Sequence, residues 1–194
     1  MEQTERQDQI LAALLRLVAR GGIEAVNLRT VAQEASCSLG MVQRQFPSKD
    51  ALLEAAIEYS MQQLEQRVQR KLLRSDPASS QLLGAILAAL IDTAPETRGE
   101  TVIWLSFLTQ AVIVPEYAQH LRRYYQPAQR EIAEIISHGQ RELEFTTKLD
   151  PLETAIGLLA LADGLTLQLQ IGSITPEQAS NVLARQLEGL MVIP

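Results

Sequence analysis

Apolar positions recur every three to four residues along most of the chain, and no stretch shows the period-two alternation of a strand. Ile10, Leu14, Leu17 and Val18 fall on one stripe of a first helix, expected over about residues 5–20 and ended by Gly21-Gly22. Asn27 and Ser38 are good N-caps for two short helices. The first turns Val31 and Ala32 inward; the second, LGMVQRQ, ends near Phe46-Pro47. Ser48 caps a long fourth helix, on which Leu53, Ile57, Leu64, Val68 and Leu72 keep helical spacing to about residue 74. SDPASS, residues 75–80, breaks the pattern and is the expected domain boundary. Five more helices are expected near 79–92, 96–113, 116–140, 151–171 and 176–190. Asp150-Pro151-Leu152-Glu153 and Thr175-Pro176-Glu177 share one start grammar: a capping side chain, Pro in the first turn, then an acid. The expected fold is all-α, with about nine helices and no internal repeat.

Composition agrees with a folded helical protein. Of 194 residues, 46% are hydrophobic and only 4% aromatic, with few Gly and Pro. A single cysteine, Cys37, excludes an internal disulfide and fits a reducing compartment. The start, MEQTERQDQ, is polar and acidic, unlike a signal peptide. The longest apolar run, residues 82–91, is too short to span a bilayer, so the expectation is a cytoplasmic protein with no membrane partner. A net charge of −6 weighs against nucleic acid for the whole chain. Phosphate contacts need only a local basic surface, and residues 27–49 carry Arg29, Arg44 and Lys49 against one acid, Glu34.

That segment also holds the candidate chemistry. The two short helices are joined by Ala35-Ser36-Cys37-Ser38, a tight turn of small residues, which makes a helix-turn-helix. On the second helix Val42 and Phe46 can anchor inward while Gln43, Arg44 and Gln45 face out. Gln can bond bidentately to adenine, and Arg to guanine or to phosphate. A polar helix face alone is equally an ordinary solvated surface.

The run IEAVNLRTVAQEASCSLGMVQRQFPSKDALLEAA, preceded by ILAALLRLVARGG, resembles the DNA-binding signature of the TetR family in order and spacing, over about residues 6–54. The resemblance implies a helix-turn-helix DNA-binding domain at 1–47 and a helical ligand-sensing and dimerisation domain at 48–194, with the helix 48–74 connecting them. It implies a repressor that binds a palindromic operator in double-stranded DNA as a homodimer and releases it on meeting a small-molecule effector. The DNA-binding residues it implies are Asn27, Arg29, Thr30, Ser38, Gly40, Met41, Gln43, Arg44, Gln45 and Lys49. The chain departs from the family at Ser36-Cys37, where Gly-Val is frequent, and at Gln43 and Gln45, where aromatics are frequent. Cys37 as a redox sensor is disfavoured, because no basic cluster adjoins it.

Beyond residue 80 the chain loosely resembles the branch of betaine-synthesis repressors, in Trp104-Leu105-Ser106-Phe107 and Asp163-Gly164-Leu165. Candidate effector-lining residues are Trp104, Phe107, Leu108, Gln110, Tyr117, His120 and Tyr124, forming an apolar pocket with a few polar tips. Plain core packing is the competing reading for each aromatic. The helix near 151–171 is apolar nearly all round, which asks for cover on two sides. With the last helix it suggests a four-helix interface between two copies, built on Leu158, Leu161, Leu165, Leu169, Leu183 and Leu187. Glu116 with His120, and Glu134 with His138, are i,i+4 pairs that lack the further acids of a metal site, so they read as solvated surface pairs. No nucleophile–base pair, metal spacing or phosphate loop is present, so neither an enzyme nor a cofactor is expected. The remaining alternative is a helix-turn-helix activator or architectural protein with no ligand.

Overall fold

The computed structural model describes residues 4–72 and 77–192 in full, and the backbone of residues 2 and 3. Its described residues form nine α-helices: α1 Glu2–Gly21, α2 Leu28–Glu34, α3 Leu39–Gln45, α4 Lys49–Lys71, α5 Ser79–Leu90, α6 Arg98–Ala111, α7 Pro115–Arg141, α8 Pro151–Gln170 and α9 Pro176–Glu188. The end expected for α4 near residue 74, and residues 75–76 of the expected boundary, lie outside the described residues.

The start signals work as their chemistry requires. Asn27 accepts from the Arg29 and Thr30 amides at 3.0 and 2.9 Å, and Thr30 Oγ1 accepts from the Asn27 amide, closing a capping box. Ser38 accepts from Met41 N, Ser48 from Ala51 N and Asp150 from Glu153 N. Thr175 and Gln178 form a second capping box. Two small elements escaped the periodicity: a three-ten turn at Ile23–Ala25, and an isolated antiparallel bridge between Phe145 and Met191. Ala78 offers α5 no side-chain cap. Glu144, from beyond the end of α7, accepts from the Ser79 and Ser80 amides, both at 3.0 Å, and from the Ser80 hydroxyl at 2.9 Å.

The chain divides into two compact units, Met1–Gln63 with Ala94–Leu121, and Leu64–Thr93 with Arg122–Pro194. These cuts differ from the division expected at 47/48, because α6 and the first turns of α7 group with the helix-turn-helix. In the first unit α1 lies against α2 and α6, and α2 against α3. Ile10, Leu14 and Val18 of α1, Val31 and Ala32 of α2, Val42 of α3, Leu52, Leu53 and Ile57 of α4, and Ile103 and Phe107 of α6 are all buried.

The second unit has its own core. Leu83 and Leu87 of α5, Ile132 and Ile136 of α7, Phe145, and α8 with α9 build it. The six leucines expected to face a second copy all pack in or against this core. Leu158, Leu165 and Leu183 are buried inside this core, and Leu161, Leu169 and Leu187 are packed against it. Each buried leucine contributes about 1.5–3 kcal/mol here. The exposed apolar side chains here are Leu152, Ile156 and Leu167 of α8, Ile171 at its C-cap, and Val182 of α9. By length and composition α8 is apolar enough to cross a membrane, and a third of that window is buried in the protein.

Candidate nucleic-acid interface and an acidic cleft

Val42 and Phe46 fix the inner side of α3, being 0% and 3% exposed, so Gln43 and Arg44 must face outward, and both are exposed. Met41 and Gln45 are half-buried at the edges of that face. The turn into α3 closes through Ser36, whose φ is 53°, and through a Cys37 amide that donates to Ala32 O at 2.9 Å. A left-handed residue is needed there, and Ser accepts the strain that Gly would avoid. Burial pushes the Cys37 thiol up, away from the reactive thiolate.

Asn27, Thr30 and Ser38 spend their capping atoms inside the protein, which holds α2 and α3 in place. Arg29 and Gln43 are exposed and have no side-chain partner among the described residues. Arg44 Nε donates to Gly40 O at 3.3 Å. Lys49 Nζ donates to Ile23 O at 3.1 Å, which ties the start of α4 to the three-ten turn and leaves the other ammonium hydrogens for a phosphate. Gly40 is exposed, and a Cβ built on it meets nothing within 4 Å, so the fold itself has no need of a glycine there.

Charge at this face depends on two residues that the sequence reading missed. Arg16 Nε and Arg20 Nη2, one turn apart on α1, both donate to Glu34, at 2.9 and 2.5 Å. Their hydrogen bonds hold the Glu34 carboxyl below its ordinary value. Glu34 is the one acid of segment 27–49, so its neutralisation leaves Arg29, Arg44 and Lys49 unopposed within that segment. An i,i+4 arginine pair on a helix was the signal available in the sequence.

A second feature of the same unit is an open cleft of about 290 Å³, lined by Asp50, Glu54, Phe107, Val114, Glu116, Tyr117 and His120. It gathers three of the expected effector-lining residues, Phe107, Tyr117 and His120. Trp104 and Leu108 are half-buried and Gln110 is exposed, and none of the three lines it; Tyr124 belongs to the second unit. Phe107 and Tyr117 meet with centroids 4.7 Å apart and planes tilted by 54°. Tyr117 donates weakly to Asp50 Oδ1 at 3.4 Å. Burial, then the charge of Asp50, pushes the Tyr117 phenol up, so it stays a neutral donor. His120 Nε2 lies 2.9 Å from Glu54 Oε1. This replaces the expected solvated pairing of His120 with Glu116. His138 likewise meets Ser79 Oγ at 3.1 Å. No group of three or more His, Cys, Asp or Glu suited to a metal occurs among the described residues.

Two family profiles match. One, bacterial regulatory proteins of the tetR family, covers residues 10–56, and the other, the C-terminal part of BetI-type transcriptional repressors, covers residues 79–192. The chain belongs to the TetR family. Among curated relatives, the transcriptional regulator BetI of Burkholderia thailandensis is 29% identical over 97% of this chain and 94% of its own length. That of Burkholderia lata is 32% identical over 84% of this chain and 81% of its own. A putative TetR-family regulator from Rhodococcus sp. superposes with a TM-score of 0.86 at 27% identity, covering 97% of this chain and all of that one. A putative transcriptional regulator from Saccharomonospora viridis, solved in complex with choline, gives 0.84 at 25% identity, covering 98% of this chain and all of that one.

As a TetR-family member the protein is a DNA-binding transcriptional regulator with a BetI-type repressor C-terminal part, and it is not an enzyme. All ten residues expected at DNA lie inside the segment matched by the N-terminal profile.

Proposed function

We propose that this regulator represses by binding a palindromic operator as a homodimer in the cytoplasm, and that a small organic cation held in the acidic cleft releases it. Gln43 and Arg44 read base edges, because they are the outward polar groups on a helix whose other side is locked by Val42 and Phe46. Arg29 and Lys49 contact phosphate and set register. Asn27, Thr30 and Ser38 hold the two helices by capping, Met41 and Gln45 border the reading face, and Gly40 lets DNA come close. A two-fold operator requires a two-fold protein, and the exposed stripe of Leu152, Ile156, Leu167 and Ile171 supplies a face for a second copy. Ala160 is exposed on the same stripe, and Gly157 and Gly164 have open space at their Cβ positions, which suits close helix approach.

The cleft carries the effector reading. Three carboxylates and two aromatic rings around one small opening suit a compact organic cation, by charge and by cation–π attraction. The choline held by the Saccharomonospora viridis structure is a cation of that class. Asp50 and Glu54 stand on α4, next to Lys49, so a ligand drawing on these acids acts on the helix that begins at the DNA. Release follows only if the cation binds the operator-free state better, and DNA must then weaken cation binding by the same factor. The deciding experiment is fluorescence-anisotropy binding of the protein to the DNA flanking its own gene, with choline chloride added and potassium chloride matched for ionic strength. Loss of operator binding with choline but not potassium supports the reading. Equal effects of the two salts exclude the cleft as a cation sensor.

A further inference from the structure

Asp50 and Glu54 face the cleft from α4, Phe107 from α6, and Val114, Glu116, Tyr117 and His120 from the start of α7 and the turn before it. Of these, His120 is the side chain whose type gains a positive charge near neutral pH. Its Nε2 sits 2.9 Å from Glu54 Oε1, and its side chain is only 25% exposed, so its charge is poorly screened from the opening. Resting on the reading that the cleft takes an organic cation, we propose that the cation and the His120 proton exclude each other, so that this sensor is set by pH as well as by effector. An imidazolium at that position is already the counter-ion of Glu54. It occupies the charge that an incoming cation needs, and it repels that cation across the same small opening. Neutral imidazole leaves Glu54 free to face the ligand while still able to donate one hydrogen bond to it. Binding of one cation therefore releases up to one proton when the solution is acidic enough for His120 to carry it. In the limit of complete exclusion, apparent affinity rises tenfold per pH unit while the imidazole is mostly protonated, and levels off once it is neutral. A cell that acidifies would need more effector to lift repression.

The test is isothermal titration of the intact protein with choline chloride from pH 5.5 to 8.0, repeated at pH 6 in two buffers of different ionisation heat. The expected result is a dissociation constant that falls several-fold per pH unit up to neutrality, with net proton release at pH 6. His120→Gln, which keeps a hydrogen-bonding amide without a titratable charge, is expected to remove both signatures whatever its absolute affinity. A thermal melt of the variant checks that it folds. Choline binding that is independent of pH overturns the exclusion and leaves the cation reading standing. The same slope in wild type and His120→Gln also overturns it, by placing the proton elsewhere. Absence of choline binding at every pH fails the cation reading, and this inference with it.

Discussion

A Cβ at Gly99 would stand 2.2 Å from the carbonyl oxygen of Leu15, so α6 and α1 cross with backbone against backbone. Leu15 is buried and Gly99 has no exposed side of its own, and Arg98 Nε donates to Ala19 O one turn along α1. The obstacle is a helix backbone, which cannot swing aside as a side chain can. Gly99→Ala is therefore expected to destabilise the protein by at least about 1–3 kcal/mol, as overpacking does. Urea unfolding followed by circular dichroism measures it, and an unchanged midpoint would show that the crossing yields at no cost.

Gly40 is the opposite case. It lies inside α3, with space around its missing Cβ, so alanine should fit and should strengthen the helix by about 0.5–1 kcal/mol. If Gly40 serves close approach to DNA, Gly40→Ala should lower operator affinity at least several-fold in a protein that melts no lower than wild type. Operator binding at full strength would remove Gly40 from the interface.

Gln43 and Lys49 are expected to fail in different ways. Gln43→Ala should cost about 1–3 kcal/mol on the best operator and relax preference at one base pair. Lys49→Ala should weaken all sequences alike and flatten the salt dependence by about one unit. It should also lower stability slightly, because Lys49 Nζ holds Ile23 O. Binding-site selection on both variants decides between roles; a uniform loss for Gln43→Ala would place that side chain on the backbone.

How far the sequence carried depends on how local each cause was. Caps lie within three residues of what they cap, so Asn27, Ser38, Ser48, Asp150 and Thr175 were legible. The helix-turn-helix was legible for the same reason, together with its family pattern. Glu144 was not, because its reason to exist is α5, which lies before it in the chain and far from it in sequence. The pairing of His120 with Glu54, against the nearer Glu116, needed the approach of α7 to α4. Which leucines of α8 pack inward was not legible either, because an all-round apolar helix does not say which side meets its own domain. Leu158 and Leu165 differ from Ile156 and Leu167 only by angle around the helix, and α5, α7 and α9 decide which angle is filled. The turn showed its price only in φ: Ser36 stands left-handed where the family often has glycine.

The exposed stripe proposed as a dimer face gives a test of assembly. Ile156→Glu or Ile171→Glu places a charge on the exposed stripe of α8, where the monomer tolerates it and a dimer interface would not. Light scattering should show a folded monomer for both, and operator affinity should fall with loss of the second half-site. Leu165→Glu should instead unfold the second unit, since Leu165 is only 5% exposed. A wild-type monomer at micromolar concentration would remove both the interface and the palindrome.

Acid should act on the second unit through Glu144. Burial works to raise its carboxyl, but the amides of Ser80 and Ser79 and the Ser80 hydroxyl outweigh that, helped by the charge of His138, and the carboxyl is held below its ordinary value. The folded carboxyl therefore binds its proton less readily than the unfolded one. Its contribution is fully present above the unfolded value, about 4.3, and is lost as pH falls through the lower folded value. Glu144→Gln keeps one acceptor oxygen but loses the charge, and should cost about 1 kcal/mol at pH 7, less than the roughly 1.5–3 kcal/mol of a buried charged hydrogen bond because the site is partly solvated. Stability curves of wild type and Glu144→Gln should thus run apart near neutrality and converge below about pH 4. If the gap between them stays constant down to pH 3, the carboxylate charge is not what caps α5, and the two amides of Ser79 and Ser80 are served equally well by a neutral oxygen.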